Sequence, residues 1–120
     1  MAHSLTDLAL AALPHGPEFR FLDKLTCIDP GRSGSGEYLV KPDSYYLKGH
    51  FPGVPVMPGV LMIEALAQLA GTVAQSDPRI GPLSNLRLTA IRAVKIFGAA
   101  LPGQTLEVAA EVDWEFCVNN

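Results

Sequence analysis

Gly49-His50-Phe51-Pro52-Gly53-Val54-Pro55-Val56-Met57-Pro58-Gly59-Val60-Leu61-Met62-Ile63-Glu64-Ala65-Leu66-Ala67-Gln68 is the stretch that decides how the rest of the chain is read. Its first half is a Pro/Gly-rich loop carrying one histidine. Its second half is a helix that continues to Gln75 and is apolar on nearly every face. The clearly polar side chains from Val60 onward are Glu64, Gln68, Thr72 and Gln75. Their spacing of four, four and three residues places them on one narrow stripe. A helix that is greasy elsewhere is buried, so Glu64 is expected on a helix wrapped by protein. A buried carboxylate needs partners or takes up a proton. An imidazole and a carboxylate meeting in an apolar pocket form an acid/base pair. Prolines fix the backbone of the loop, which suits a side chain that must be held in place.

The chain around this stretch has 120 residues, enough for a single domain over 1–120. At 48% hydrophobic and 18% charged residues it can build a real core and is not a disordered sequence. The net charge of −3 and the lack of a Lys/Arg run argue against nucleic-acid binding. Cys27 and Cys117 give neither a disulfide framework nor metal-ligand spacing, and both read as small core hydrophobes in a reducing compartment. No signal-peptide pattern opens the sequence, and the helix from Val60 is too short and too polar at Glu64 and Gln68 for a membrane span. The expectation is a cytoplasmic protein with no cofactor, no metal, no nucleic acid and no membrane among its partners.

Working outward, Ser4-Leu5-Thr6-Asp7 has the form of a capping box opening a short amphipathic helix that Leu13-Pro14-His15-Gly16-Pro17 ends. His15, beside two prolines, reads as structural. Phe19–Ile28 reads as a strand, 29–34 as a turn, and Gly36–Val40 as the second strand of an antiparallel hairpin. Pro58 is placed at the first helical position, and the helix stops near Ser76-Asp77-Pro78. Leu86–Phe97 reads as a long strand with its alternation broken near Ala93. Gln104–Cys117 reads as another, with Leu106, Val108, Ala110 and Val112 on one face and Glu107 and Glu111 on the other. The fold class is therefore α+β: a curved antiparallel sheet around one long buried helix.

The motif residues resemble those of the FabZ-type 3-hydroxyacyl-acyl-carrier-protein dehydratases, a hotdog-fold family. The likeness is dense over Gly49–Gly53, Met57–Leu61 and Glu64–Gln68. It extends to Leu13-Pro14-His15, Phe19, Asp23-Lys24 and Leu101-Pro102-Gly103-Gln104. It implies a hotdog fold and a hydro-lyase that dehydrates (3R)-hydroxyacyl thioesters to trans-2-enoyl thioesters in fatty-acid, lipid or polyketide synthesis. It carries over His50 and Glu64 as the catalytic pair, contributed by different subunits of a homodimer or of a trimer of such dimers. It also implies an apolar tunnel along the helix for the acyl chain and an acyl carrier protein as partner.

On physical grounds His50 is assigned as base and Glu64 as acid, with the backbone N–H groups of Gly59 and Val60 as oxyanion donors at the helix N-terminus. Gln68, one turn after Glu64, is a candidate to hold the carboxyl group or a water beside it. A backbone carbonyl is expected to orient the other nitrogen of His50. Phe51, Met57 and Met62 are equally readable as tunnel lining and as core. Arg87, Arg92 and Lys95 read as solvated charges sooner than as a carrier-protein surface.

Some residues depart from the family pattern. Gly16-Pro17-Glu18 stands where Arg-Tyr-Pro is usual, Gly98-Ala99 stands where a basic residue and proline are expected, and the last two strands, about 20–30 residues at ordinary strand length, have no counterpart. That predicts an unpaired sheet edge and an uncovered helix face, to be covered by another chain or left at a cost in stability. Two other readings stay open: a hotdog acyl thioesterase, which needs a carboxylate but no loop histidine, and a non-catalytic acyl-binding hotdog module.

Overall fold

The computed structural model describes residues 4–79 and 90–113. Helix α1, Leu5–Ala11, opens as its sequence dictates, with the Ser4 side chain accepting from Asp7 N at 3.2 Å. A single 3-10 turn, Pro17–Phe19, follows. Strands β1, Lys24–Asp29, and β2, Ser33–Leu39, form an antiparallel hairpin across a turn in which Gly31 takes a positive φ of 75°. A second 3-10 turn, Tyr45–Leu47, leads into the histidine loop, and helix α2 spans Gly59–Gln75. Strand β3, Thr105–Glu111, pairs antiparallel with β2, giving the sheet order β1-β2-β3. Among the described residues β1 and β3 are both edge strands.

α2 lies on this sheet through Ala65, Gln68, Leu69, Thr72 and Val73, the i, i+3, i+4 set of one helical face. Leu69 and Val73 are fully buried with Phe21, Leu22 and Val40. Gly34 on β2 is what lets the helix approach. A Cβ there would stand 2.7 Å from Val73 Cγ2, a side chain with nowhere to go. From β3, Leu106, Val108 and Ala110 face the same core, as their alternation requires. The far end of α2 is tied to the hairpin turn by Gly31 N donating to Val73 O at 3.0 Å.

Several elements differ from what the sequence suggests. The first strand begins at Lys24, because Phe19 belongs to the 3-10 turn. The second begins at Ser33, three residues early, so the turn is shorter than 29–34. Cys27 is exposed, not core. The register slips between Leu25 and Cys27, and this extra residue turns Cys27 to the solvent side although it stands two positions after the buried Leu25. Pro58 is the residue before the helix, with ψ of 135°, and not its first turn. Within Leu86–Phe97, residues 90–97 form no strand and Ala93 takes a φ of 52°. Residues 86–89, Arg87 among them, lie outside the described residues. β3 ends at Glu111, and Cys117 also lies outside the described residues. Finally, the polar stripe of α2 points partly inward through Gln68 and Thr72, whereas the exposure of Val60 and Leu66 agrees with the uncovered helix face expected from the departures from the family pattern.

Candidate active site

The loop that carries His50 is anchored at both ends. On the entry side Leu47 is buried, and the Tyr46 and Tyr38 hydroxyls share a 2.7 Å hydrogen bond that ties the 3-10 turn to β2. On the exit side Met57 is buried in the core and its N–H donates to Ala100 O at 2.9 Å. Between these anchors the loop closes on itself. Val56 N donates to His50 O at 2.8 Å, and Phe51 and Val54 exchange backbone bonds of 2.9 and 3.1 Å. The His50 side chain completes the closure: its Nδ1 lies 3.1 Å from Val56 O. A carbonyl only accepts, so this contact places the proton on Nδ1 and leaves Nε2 with a free lone pair. The ring stacks on Phe51 with centroids 4.2 Å apart.

The N-terminus of α2 follows directly. Leu61 N and Met62 N both reach Pro58 O, at 3.0 and 3.3 Å, while the N–H groups of Gly59 and Val60 find no acceptor among the described residues. These are the orphan donors of a helix start, and the helix dipole adds to their attraction for negative charge. Ile96 sits beside Gly59. A Cβ at that position would stand 2.5 Å from Ile96 Cδ1, so the exposed end of that side chain would have to move aside.

Glu64 is half-buried and lines a cavity of about 660 Å³ between α1 and α2. Leu5, Leu8, Leu13 and Ala67 supply apolar wall, and Gln68, Gly71 and Gln75 continue the line down α2. His50, Phe51, Met57 and Met62 do not border it. Within one chain, then, the histidine loop and the Glu64 cavity are separate features. Met57 is core and Met62 packs against that core, whereas Phe51 is 57% exposed.

Gln68 is the residue whose place differs most from the sequence reading. It is almost fully buried, and its amide is engaged with backbone: Phe21 N donates to Oε1 and Nε2 donates to Phe19 O, both at 2.9 Å. It therefore splints α2 to the segment before β1. Both bonds satisfy groups that would otherwise be buried without partners. Sequence spacing could not show this, because Phe19 and Phe21 lie almost fifty residues away. His15, read as structural, borders the same cavity as Glu64. The only available signal was its place in the Leu-Pro-His opening. Arg92 and Lys95 are exposed, as solvated charges are. Among the described residues no three His, Cys, Asp or Glu side chains converge as metal ligands, and no helix is long and apolar enough to cross a membrane.

The hotdog scaffold thus presents an imidazole held at one nitrogen, a helix start whose first donors find no acceptor among the described residues, and a carboxyl group on an apolar cavity. A sequence profile of the FabA-like domain family matches residues 13–115, and the chain belongs to that family. Its relatives include proteins named 3-hydroxyacyl-[acyl-carrier-protein] dehydratase FabZ. The one from Chloroflexus aggregans is 36% identical over 105 residues, covering 87% of this chain and 72% of the relative. The one from Rickettsia bellii is 36% identical over 110 residues, covering 87% and 76%. The one from Clostridium kluyveri is 38% identical over 100 residues, covering 83% and 69%.

Proposed function

We propose that this protein is a hydro-lyase that dehydrates 3-hydroxyacyl thioesters carried on an acyl carrier protein, the (3R)-hydroxyacyl group leaving as the trans-2-enoyl thioester. The observation that carries the reading is the Nδ1 contact of His50 with Val56 O. It fixes the ring and its tautomer, so Nε2 is a base held in one orientation. Nε2 takes the proton from C2, the electron pair forms the C2–C3 double bond, and the C3–O bond breaks as the Glu64 carboxyl protonates the departing hydroxyl. One water leaves, and a proton passes from His50 back to Glu64 to reset the pair. Negative charge gathers on the thioester oxygen as the C2 proton is lost. Gly59 N–H and Val60 N–H are the free donors suited to it, and one such donor is worth about 3 kcal/mol of barrier.

The separation of His50 from the Glu64 cavity supports a site shared between two copies of the chain. The surface around the histidine loop and the adjoining 90–97 segment is apolar and open: Val54, Val60 and Phe97 are 67%, 71% and 92% exposed. Patches of this kind mark contact surfaces, and a two-fold dimer would bury both copies of the patch at once. The acyl chain fits the cavity along α2. From Glu64 to Gln75 the helix rises about 16 Å, and the wall between them is largely apolar. A cytoplasmic setting is part of the proposal.

The deciding experiment presents the protein with 3-hydroxyacyl thioesters on acyl carrier protein and on coenzyme A. The expected result is enoyl absorbance from the carrier-linked substrate without release of thiol. Thiol release in place of enoyl product would make the protein a thioesterase, and tight binding without turnover would make it an acyl-binding module.

A further inference from the structure

Within its own chain, the histidine that shares a cavity with Glu64 is His15. Leu13, buried at the end of α1, and Pro14 set its place. Its ring stacks on Phe19 with centroids 6.3 Å apart and planes 25° apart. Phe19 is itself held by Gln68, one helical turn beyond Glu64, through the 2.9 Å bond from Nε2 to Phe19 O. Ring and carboxyl group are thus both referred to the same short piece of α2.

Nδ1 of His15 is sealed and has no partner among the described residues. A sealed N–H without an acceptor is among the rarest features of native structures. In the neutral ring the proton then sits on Nε2, which leaves that nitrogen as the donor. Most other polar side chains on the wall have partners: Gln68 is held by Phe19 and Phe21, the Thr72 hydroxyl by Gln68 O and the Ser76 hydroxyl by Val73 O, and Gln75, farther along α2, is engaged as well. The charged groups bordering the cavity besides Glu64 are Glu111 and Asp113, which can only accept when ionised. His15 offers an N–H donor on the same wall as Glu64.

We propose that His15 is a positioning residue for Glu64: its Nε2–H, bridged by one water molecule, holds the Glu64 carboxyl group so that a single oxygen faces the substrate hydroxyl. A water bridge is the form the contact takes because no hydrogen bond joins the two side chains among the described residues, while the cavity of about 660 Å³ that both line has room for water. The role rests on the dehydratase reading, since it is the acid step that needs a fixed oxygen.

Two measurements test it, and the first does not depend on turnover. Imidazole nitrogen resonances of His15, recorded near neutral pH in the unaltered protein and in Glu64→Gln, are expected to show the Nε2–H tautomer and a changed Nε2 resonance in the variant. An Nδ1–H tautomer, or a resonance indifferent to Glu64, overturns the proposal. The second is turnover of His15→Phe, which keeps the ring stack but has no N–H. Its kcat should fall roughly tenfold or more with KM nearly unchanged, and His15→Gln, which restores an N–H donor, should recover most of the loss. Wild-type kcat in His15→Phe, or a fall that His15→Gln does not repair, overturns it. Absence of dehydration by the unaltered protein would refute the function while the nitrogen resonances still judged the contact.

Discussion

The two halves of α2 are built to opposite specifications. Toward its C-terminus Leu69 and Val73 are sealed against the sheet, Thr72 and Gln68 have their polar atoms paired, and the Ser76 hydroxyl closes the end on Val73 O. Toward its N-terminus two backbone donors find no acceptor among the described residues, Val60 is 71% exposed, and Gly59 stands where a Cβ would crowd Ile96. One half satisfies every rule of a stable interior, and the other leaves groups unpaired. Free energy that could go into folding is left for a ligand or a second copy of the chain to collect. The contrast predicts that substitutions at the helix start and its loop act on activity, and those at the sheet-facing residues of the C-terminal half, Leu69 and Val73, act on stability.

The largest effect should come from the proposed acid/base pair. His50→Ala and Glu64→Gln should each lower turnover of a 3-hydroxyacyl thioester by roughly a hundred- to ten-thousandfold. Unfolding should move by no more than about 1 kcal/mol, since His50 gives up one part-buried hydrogen bond. Turnover within twofold of the parent in both variants would remove the site assignment.

Next is Leu69→Ala, at the centre of the sealed half. Emptying a fully buried leucine position should cost about 2–5 kcal/mol, read as a lower denaturation midpoint. Gln68→Met sharpens the comparison because it sits at the join. It keeps the length of the side chain but leaves Phe21 N without its acceptor. The expected loss is about 1–3 kcal/mol, and a loss of turnover beyond the loss of folded protein would assign the residue to both halves.

The smallest effect belongs to the far end of α2. Asp77 is buried, and Arg79 binds it through Nη2 to Oδ2 at 2.8 Å and Nε to Oδ1 at 3.1 Å. The guanidinium holds the Asp77 carboxyl below its ordinary value. A carboxyl group lowered on folding contributes stability above its unfolded pKa, and that contribution fades as pH falls through the lower folded value. Arg79→Ala should therefore lower the melting temperature slightly at neutral pH. The difference should shrink on acidification below about pH 4, the ordinary carboxylate range. A difference that stays constant across that range would show that the pair acts through packing alone.

How much of this could be read from residues in a row differs by element. The cap at Ser4, the hairpin, α2 to its last residue, the inward face of β3 and a carbonyl partner for His50 all follow from local rules, because the determining groups lie within a few positions of one another. The bulge that turns Cys27 outward, the missing strand at 90–97 and the inward Gln68 do not. Strand pairing and register depend on a partner strand elsewhere in the chain. Val94 and Ile96 are one strand period apart but Ile91 is out of phase with them, and between Ile91 and Val94 the backbone turns to a positive φ at Ala93; no neighbouring strand pairs there among the described residues.

The sequence by itself determined the elements of the proposed site: a proline-stiffened histidine loop, a helix start and a glutamate one turn on. These are properties of short segments, set by backbone stereochemistry and helical period. The tertiary structure alone decided that Gln68 serves the scaffold, that His15 stands at the Glu64 cavity, and that His50 lies outside it. Those placements arise from packing between segments distant in the chain, where contact is governed by how volumes fill and which buried polar groups find partners.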